Sequence, residues 1–262
     1  MVQVHGDDQY QVNSLCLVTS LMVRAFQLNL MFAKYSMDFD KLDIVQQQLD
    51  QQLPAPGKTG LDWFLYCYFA DQCKNAPMLE IGAGNGGSLY TLLSFTDDLT
   101  CIDSWSFNWS KSVVVDNLSL INRSVTFVDK LSTTIHPDEL KVYGFVHLDA
   151  NKDFDNALLD LTLASKVCNG IICVDDYMNS MWPEVSWAVD EFVKTDPTWK
   201  KICIGNHQIF LARTAKYVKK LVVEFPVIVR NDIVYFTYGK MPTAVNAFIL
   251  GGKMQYLSLI HI

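Results

Sequence analysis

Positive charge is scarce in this chain: 21 Lys and Arg residues stand against 28 Asp and Glu, a formal net charge of −7 over 262 residues. Nucleic-acid phosphates need a basic face, and the cations here are scattered, which argues against nucleic acid as the main partner. Lys216, Lys219 and Lys220 form the one local basic cluster, and three lysines so spaced read as a solvated helix face. Paired-cysteine motifs are missing as well. The seven cysteines, at 16, 67, 73, 101, 168, 173 and 203, include no C-x-x-C pair. Most lie in apolar runs such as Ile171-Ile172-Cys173-Val174, so buried reduced thiols are expected. There is no repeat and no low-complexity tract. With 50% hydrophobic and only 19% charged residues, the chain can bury a large core, and disorder is excluded as its general state. A clean membrane span is also lacking. Leu15 to Ala33 is apolar but interrupted by Arg24, Gln27 and Asn29, and Asp7 and Asp8 precede it in place of a basic leader. An amphipathic helix covering the core is expected there, no membrane partner, and a cytoplasmic location.

The length suits one full α/β domain with additions. Residues 1–56 read as an N-terminal helical extension, in which Phe39, Leu42, Val45 and Leu49 keep helical spacing until Pro54-Ala55-Pro56-Gly57 breaks it. From Leu61 to Cys73 an aromatic-rich helix precedes the first strand. Strand-like runs then recur at 78–81, 99–102, 125–128, 145–148, 171–174, 202–204 and 208–212. Helical stretches between the earlier runs imply βαβ units and a parallel sheet, whereas Gly205-Asn206-His207 leaves no room for a helix and predicts an antiparallel hairpin at one edge. The fold class is α/β: a Rossmann-like, doubly wound, mainly parallel seven-stranded sheet with an antiparallel C-terminal hairpin, plus N-terminal helices. Residues 57–213 form the cofactor-binding domain. Residues 214–262 form a C-terminal extension, with a further hairpin around Arg230-Asn231-Asp232.

The stretch Pro77-Met78-Leu79-Glu80-Ile81-Gly82-Ala83-Gly84-Asn85-Gly86-Gly87-Ser88 carries the first chemistry, because an apolar run meets a glycine-dense turn and then the helical Leu89-Tyr90-Thr91-Leu92-Leu93. Bare backbone lets a ligand lie close, and N–H groups at the helix start point at it. Gly82, Gly84 and Gly87 satisfy G-x-G-x-x-G, and Asp103 follows about twenty residues on, where a ribose-binding carboxylate belongs. Two cofactors fit this pattern, a nicotinamide dinucleotide and S-adenosylmethionine. Glu80 favours the second, because a carboxylate beside the loop suits a sulfonium and an ammonium better than a pyrophosphate. Glu80, Gly82, Gly84, Gly86 and Ser88 are therefore candidate cofactor residues, with Asp103 for the ribose. Ser104 and Trp105 offer an indole to the adenine, Asp129 follows the next strand, and Lys58-Thr59-Gly60 borders the methionine end.

Two later strand ends carry the second constellation: Phe145-Val146-His147-Leu148-Asp149-Ala150-Asn151-Lys152-Asp153, and Gly170-Ile171-Ile172-Cys173-Val174-Asp175-Asp176-Tyr177. Ligands bind beyond the carboxyl ends of a parallel sheet, so Asp149, Asp175 and Asp176 should converge near the loop. Three converging carboxylates call for a cation, and oxygen ligation suits Mg2+, with Mn2+ or Ca2+ as alternatives. Asp149 would also border the cofactor. The five histidines show no metal-site spacing, and His147 alternates inward as a core residue. Tyr177 and Trp182 are expected to line an acceptor pocket.

Together, the Glu80-Ile-Gly-Ala-Gly loop, Asp149-x-x-Lys152 and the Gly170-to-Asp176 strand resemble the divalent-cation-dependent O-methyltransferases of the catechol and caffeoyl-coenzyme A type, within the class I S-adenosylmethionine-dependent methyltransferases. The region from Asp175-Asp176-Tyr177 through Trp182-Pro183-Glu184-Val185 to Phe192 is similar to the macrocin-type sugar O-methyltransferases. The resemblance covers residues 57–213. It implies a metal held by Asp149, Asp175 and Asp176, with Lys152 as the general base that deprotonates the acceptor hydroxyl. The catechol pattern has Asp-Asn where this chain has Asp175-Asp176, and the macrocin pattern has His where it has Lys152, so a phenol-like and a sugar-like hydroxyl both stay open. The partner expected is a small hydroxylated molecule. Aromatic residues in the N-terminal helices suit either a pocket cover or a homodimer contact.

Overall fold

The computed structural model describes residues 51–54, 60–106, 110–205, 207–214, 216–217, 227–230, 233–236 and 247–249. All of them belong to the unit Ile44–Ile262. Residues 1–50 and 55–56 of the N-terminal helical extension, the Leu15–Ala33 segment among them, and the residues Lys58 and Thr59 lie outside the described residues.

Helix α1 (Gly60–Gln72) leads into β1 (Met78–Ile81), α2 (Gly87–Leu92), β2 (Leu99–Ile102), α3 (Lys111–Leu120) and β3 (Thr126–Val128). After two short 3-10 turns come β4 (Tyr143–Leu148), α4 (Phe154–Val167), β5 (Cys168–Asp175), α5 (Pro183–Thr195), β6 (Lys200–Ile204) and β7 (Gln208–Ala212). Strands β1 to β5 are parallel to one another, and β7 runs antiparallel to both β5 and β6. The sheet order is β3-β2-β1-β4-β5-β7-β6, so the hairpin expected at one edge is present, with β7 between β5 and β6 and β6 outermost. This is the Rossmann-like, doubly wound, mainly parallel seven-stranded arrangement, closed at one edge by an antiparallel hairpin.

Both faces of the sheet are covered. On one side Leu161, Leu163 and Ala164 of α4 and Val185, Val189 and Phe192 of α5 pack with Val146, Leu148, Ile172 and Val174. On the other, Tyr66 of α1 meets Phe145 edge-on at 5.7 Å and Phe69 lies 4.4 Å from Phe210 between ring centroids. A central strand between two such layers has no solvated face, and all four residues of β1 are buried, Glu80 included. Helix α1 is likewise buried at Trp63, Leu65, Tyr66, Tyr68, Phe69 and Ala70, more than a single stripe.

The six described cysteines are unbridged and all but Cys67 are buried. Burial pushes the Cys73 and Cys168 thiols up to about 12, so they stay protonated. Strands β8 (Val227–Arg230), β9 (Ile233–Phe236) and β10 (Ala247–Ile249) form a separate antiparallel sheet in the order β10-β9-β8. Among the described residues no helix is long and apolar enough to cross a membrane.

Candidate active site

Strand order changes direction at the β1–β4 junction, where an open sheet of this kind has its ligand crevice. The sheet ladder runs one residue past the strand ends here. Gly82 N donates to Ile102 O (2.9 Å), Asp103 N to Val128 O (3.3 Å) and Asp149 N to Ile81 O (2.8 Å), so the residues that open each loop stand side by side. The glycine loop needs its glycines. Gly82, Gly84 and Gly86 have φ values of 88°, 53° and 89°, in the left-handed region. A Cβ at Gly82 would fall 2.4 Å from the Asp149 carbonyl oxygen, so the loop after β1 passes directly against the backbone that ends β4.

Asp103 closes over this loop: Oδ2 accepts from Ala83 N at 2.8 Å, and Oδ1 from Trp105 N at 2.7 Å. Trp105, with φ 55°, turns its indole toward Asp129, donating from Nε1 to Oδ1 at 2.9 Å, and meets Phe127 edge-on. Lys111 pairs with Asp129 at 2.6 Å and lies 4.9 Å above the Phe127 ring. Its ammonium, and then the indole N–H, hold the Asp129 carboxyl below the usual carboxylate range. Ser104 Oγ sits 2.7 Å from Ser106 Oγ. The sequence-designated Asp103, Trp105 and Asp129 therefore converge on one rim of the crevice.

Glu80 and Ser88 take a different place from the one expected. Both are buried, and the Ser88 hydroxyl donates to Glu80 Oε1. The same oxygen lies 3.4 Å from His147 Nδ1, and Tyr66 stacks edge-on against that imidazole at 5.0 Å while its hydroxyl donates to Ser88 O. Glu80 thus braces the loop from within the sheet, and the expectation that it faces a donor's ammonium is corrected: it is fully buried.

At the β4 and β5 ends, Lys152 Nζ bonds Asp149 and reaches Asp176 Oδ2 at 2.8 Å. The lysine is 16% exposed. Burial acts to lower its pKa, but the attraction of Asp149 and Asp176 outweighs it and the net shift is upward, so this amine is an ammonium. A general base must be neutral, so a base role for Lys152 would first require this ammonium to give up its proton. Asp176, with φ 60°, also accepts from Asn179 Nδ2 at 2.8 Å through Oδ1, so both its oxygens have protein donors. Asp175 Oδ1 accepts from Gln208 Nε2 at 3.0 Å. Among the described residues, the His/Cys/Asp/Glu group whose donor atoms all lie within 4.8 Å of one another is His147, Asp149 and Asp175. It holds two of the three carboxylates expected to bind metal and substitutes His147 for Asp176.

Tyr177 does not line a pocket. It is fully buried, accepts from Lys201 Nζ at 3.0 Å and donates to Asp190 Oδ1 at 3.4 Å, anchoring the β5–α5 loop from below. Trp182, by contrast, is 43% exposed, near Met181 at 75%. One functional candidate escaped sequence reasoning. Asp160 on α4 is 3% exposed and, with Asn151, Lys152 and Asp175, lines a small pocket walled by Leu148 and Val174.

No protein-family model matches the chain, and no curated protein matches it. Similar solved structures include a Klebsiella pneumoniae protein classed as an O-methyltransferase (18% identity, 72% of this chain and 95% of that one, TM-score 0.49). Another is an rRNA methylase from Streptococcus thermophilus (11% identity, 59% and 96%, TM-score 0.48). A third, from Streptococcus mutans, is classed as a methyltransferase and is in complex with SAH (12% identity, 59% and 97%, TM-score 0.48). The fold assignment rests on the strand order itself.

Proposed function

We propose that this chain is an S-adenosylmethionine-dependent O-methyltransferase acting on a hydroxyl of a small molecule. The observation that carries this reading is Asp103: its carboxylate closes over the left-handed glycine loop at the sheet's switch point, and the Asp149–Lys152–Asp176 cluster stands at the neighbouring strand end. The loop offers bare backbone to the donor, Asp103 the remaining lone pairs of its two oxygens to ribose hydroxyls, and the Trp105–Asp129 rim a flat surface and an acceptor to the adenine. An acidic crevice suits a sulfonium donor better than a dinucleotide pyrophosphate.

The divalent ion implied by the resemblance does not fit the residues as they stand. Lys152 holds the position between Asp149 and Asp176 that a divalent ion would take. The chemistry is therefore derived without it. The acceptor oxygen approaches the sulfonium methyl in line; its proton passes to a carboxylate of the cluster, and the Lys152 ammonium stabilises the negative charge that develops on it. As the O–CH3 bond forms, the C–S electrons return to sulfur, leaving a neutral thioether. The chain's main contribution is to hold the two atoms at reacting distance away from water.

Thermal-shift measurements with S-adenosylhomocysteine and with NAD(P)H test the donor. S-adenosylhomocysteine is expected to raise Tm. Stabilisation by the nicotinamide alone would sink the reading. Asp103→Ala removes two charge-assisted bonds, at about 1.5–3 kcal/mol each, and is expected to weaken S-adenosylhomocysteine at least tenfold.

A further inference from the structure

We propose that Lys152 is the resident cation of the acceptor site, its ammonium taking the place of a divalent ion between Asp149 and Asp176, so that the chain works without a bound metal. This rests on the methyl-transfer reading above, and it assigns Lys152 a fixed electrostatic role in place of proton abstraction.

The placement is built from both sides. Lys152 lies three residues beyond Asp149 in the turn that starts α4, and Asp153 fixes that turn as the helix cap, accepting from Asn156 N at 3.0 Å. Asp176 arrives from the other strand end through a left-handed backbone, and Asn179 orients its carboxylate. Two carboxylates from β4 and β5 thus meet on one nitrogen, with the lysine stem largely out of water. An ammonium donates three hydrogen bonds in a compact volume, which serves two carboxylates and leaves one N–H for an acceptor oxygen. A divalent ion in the same place would have to displace that ammonium from Asp149 and from Asp176 Oδ2. The alternative grouping with His147 would recruit a fully buried imidazole whose Nδ1 lies 3.4 Å from Glu80 Oε1.

The charge logic makes the site convertible. With Lys152 removed, Asp149 and Asp176 face one another without their cation, a like-charge pair that oxygen-binding ions relieve. The test is calorimetric titration of the full chain with MnCl2 and MgCl2, alongside Tm measured with and without EDTA. The wild type is expected to take up neither ion saturably, and its Tm to ignore EDTA. Lys152→Ala is expected to gain saturable Mn2+ binding and a Mn2+-dependent rise in Tm, while Lys152→Arg keeps the cation and behaves as the wild type does. Saturable Mn2+ uptake by the wild type overturns the proposal whether or not the variants fold; so does a folded Lys152→Ala that binds no ion. S-adenosylhomocysteine binding, followed in the same wild-type samples, separates the two readings: its loss sinks the methyl-transfer reading, and Mn2+ uptake with donor binding intact sinks the resident cation alone.

Discussion

Replacing Asp160 with Asn should make this protein more stable at neutral pH and leave its stability nearly unchanged at pH 4. Asp160 is 3% exposed on α4, and Oδ1 has no hydrogen-bond partner among the described residues. Its pKa is pushed from 3.8 up to about 6, by burial first; the hydrogen bond with Ser132 and the charge of Lys152 oppose the shift and Asp153 adds to it. A gap of roughly two units corresponds to about 3 kcal/mol at 1.36 kcal/mol per unit. The sign follows from proton uptake. The folded chain binds this proton more tightly than the unfolded one, so between pH 4 and 6 folding takes up a proton, and stability from this group falls as pH rises through that window. Below the unfolded value both states are protonated and the penalty vanishes. Above about 6 the carboxylate is ionised in both states and the whole penalty is present.

Asparagine keeps the shape and can still accept from Ser132, but it never ionises. The Asp160→Asn gain is therefore expected to grow from near zero at pH 4 to as much as about 3 kcal/mol at pH 7, or roughly 6–12 °C in Tm for a domain of this size. Urea denaturation of both proteins followed by circular dichroism across pH 4 to 7.5 measures it, and the difference between them cancels the other groups that titrate over the same range. A variant that is less stable than the wild type at pH 7, or a difference that does not change with pH, would refute the reasoning.

Two further substitutions separate bracing from binding. Gly82→Ala places a methyl 2.4 Å from the Asp149 carbonyl oxygen at a φ of 88°. It is expected to cost at least about 2 kcal/mol and to abolish the S-adenosylhomocysteine thermal shift; full donor binding in this variant would contradict the assigned loop geometry. Tyr177→Phe removes the hydroxyl that Lys201 and Asp190 share and should destabilise by about 1–3 kcal/mol in urea titrations, while leaving S-adenosylhomocysteine affinity within twofold, since Tyr177 faces the interior.

What the sequence revealed of this site was mostly local. The glycine loop, Asp103 one residue past a strand, and the Asp149–Lys152 spacing are all signals contained in a few residues, and the structure assembles them on one edge. The pairings that cross the sheet were not readable. Glu80 looked like a ligand because a carboxylate sits beside a glycine loop, yet its register partner on β4 is His147, and a polar residue in a strand covered on both faces must satisfy itself inside. Asp176 was legible as a strand-end acid, but its left-handed backbone turns the chain so that Tyr177 drops into the interior. Asp160 was there to be found. Ala157, Leu161 and Ala164 mark the buried stripe of α4, and Asp160 falls within it at helical spacing, a polar residue where the period demands an apolar one.

The same contact that constrains Gly82 also joins the two halves of the site. On the proposed reading the donor loop leaves β1 and the acceptor cluster begins at Asp149; Asp149 N bonds Ile81 O, and Gly82 lies against the Asp149 carbonyl with no room for one more carbon. Methyl transfer in line tolerates little error between the attacking oxygen and the carbon, and flexible loops set that distance poorly. Here the spacing is inherited from two central strands of a sheet buried on both faces. A donor seated against residue 82 and an acceptor seated against Asp149 are then positioned by one rigid element, with only the short Lys152 turn and the Asp176 loop left to adapt to the acceptor's shape.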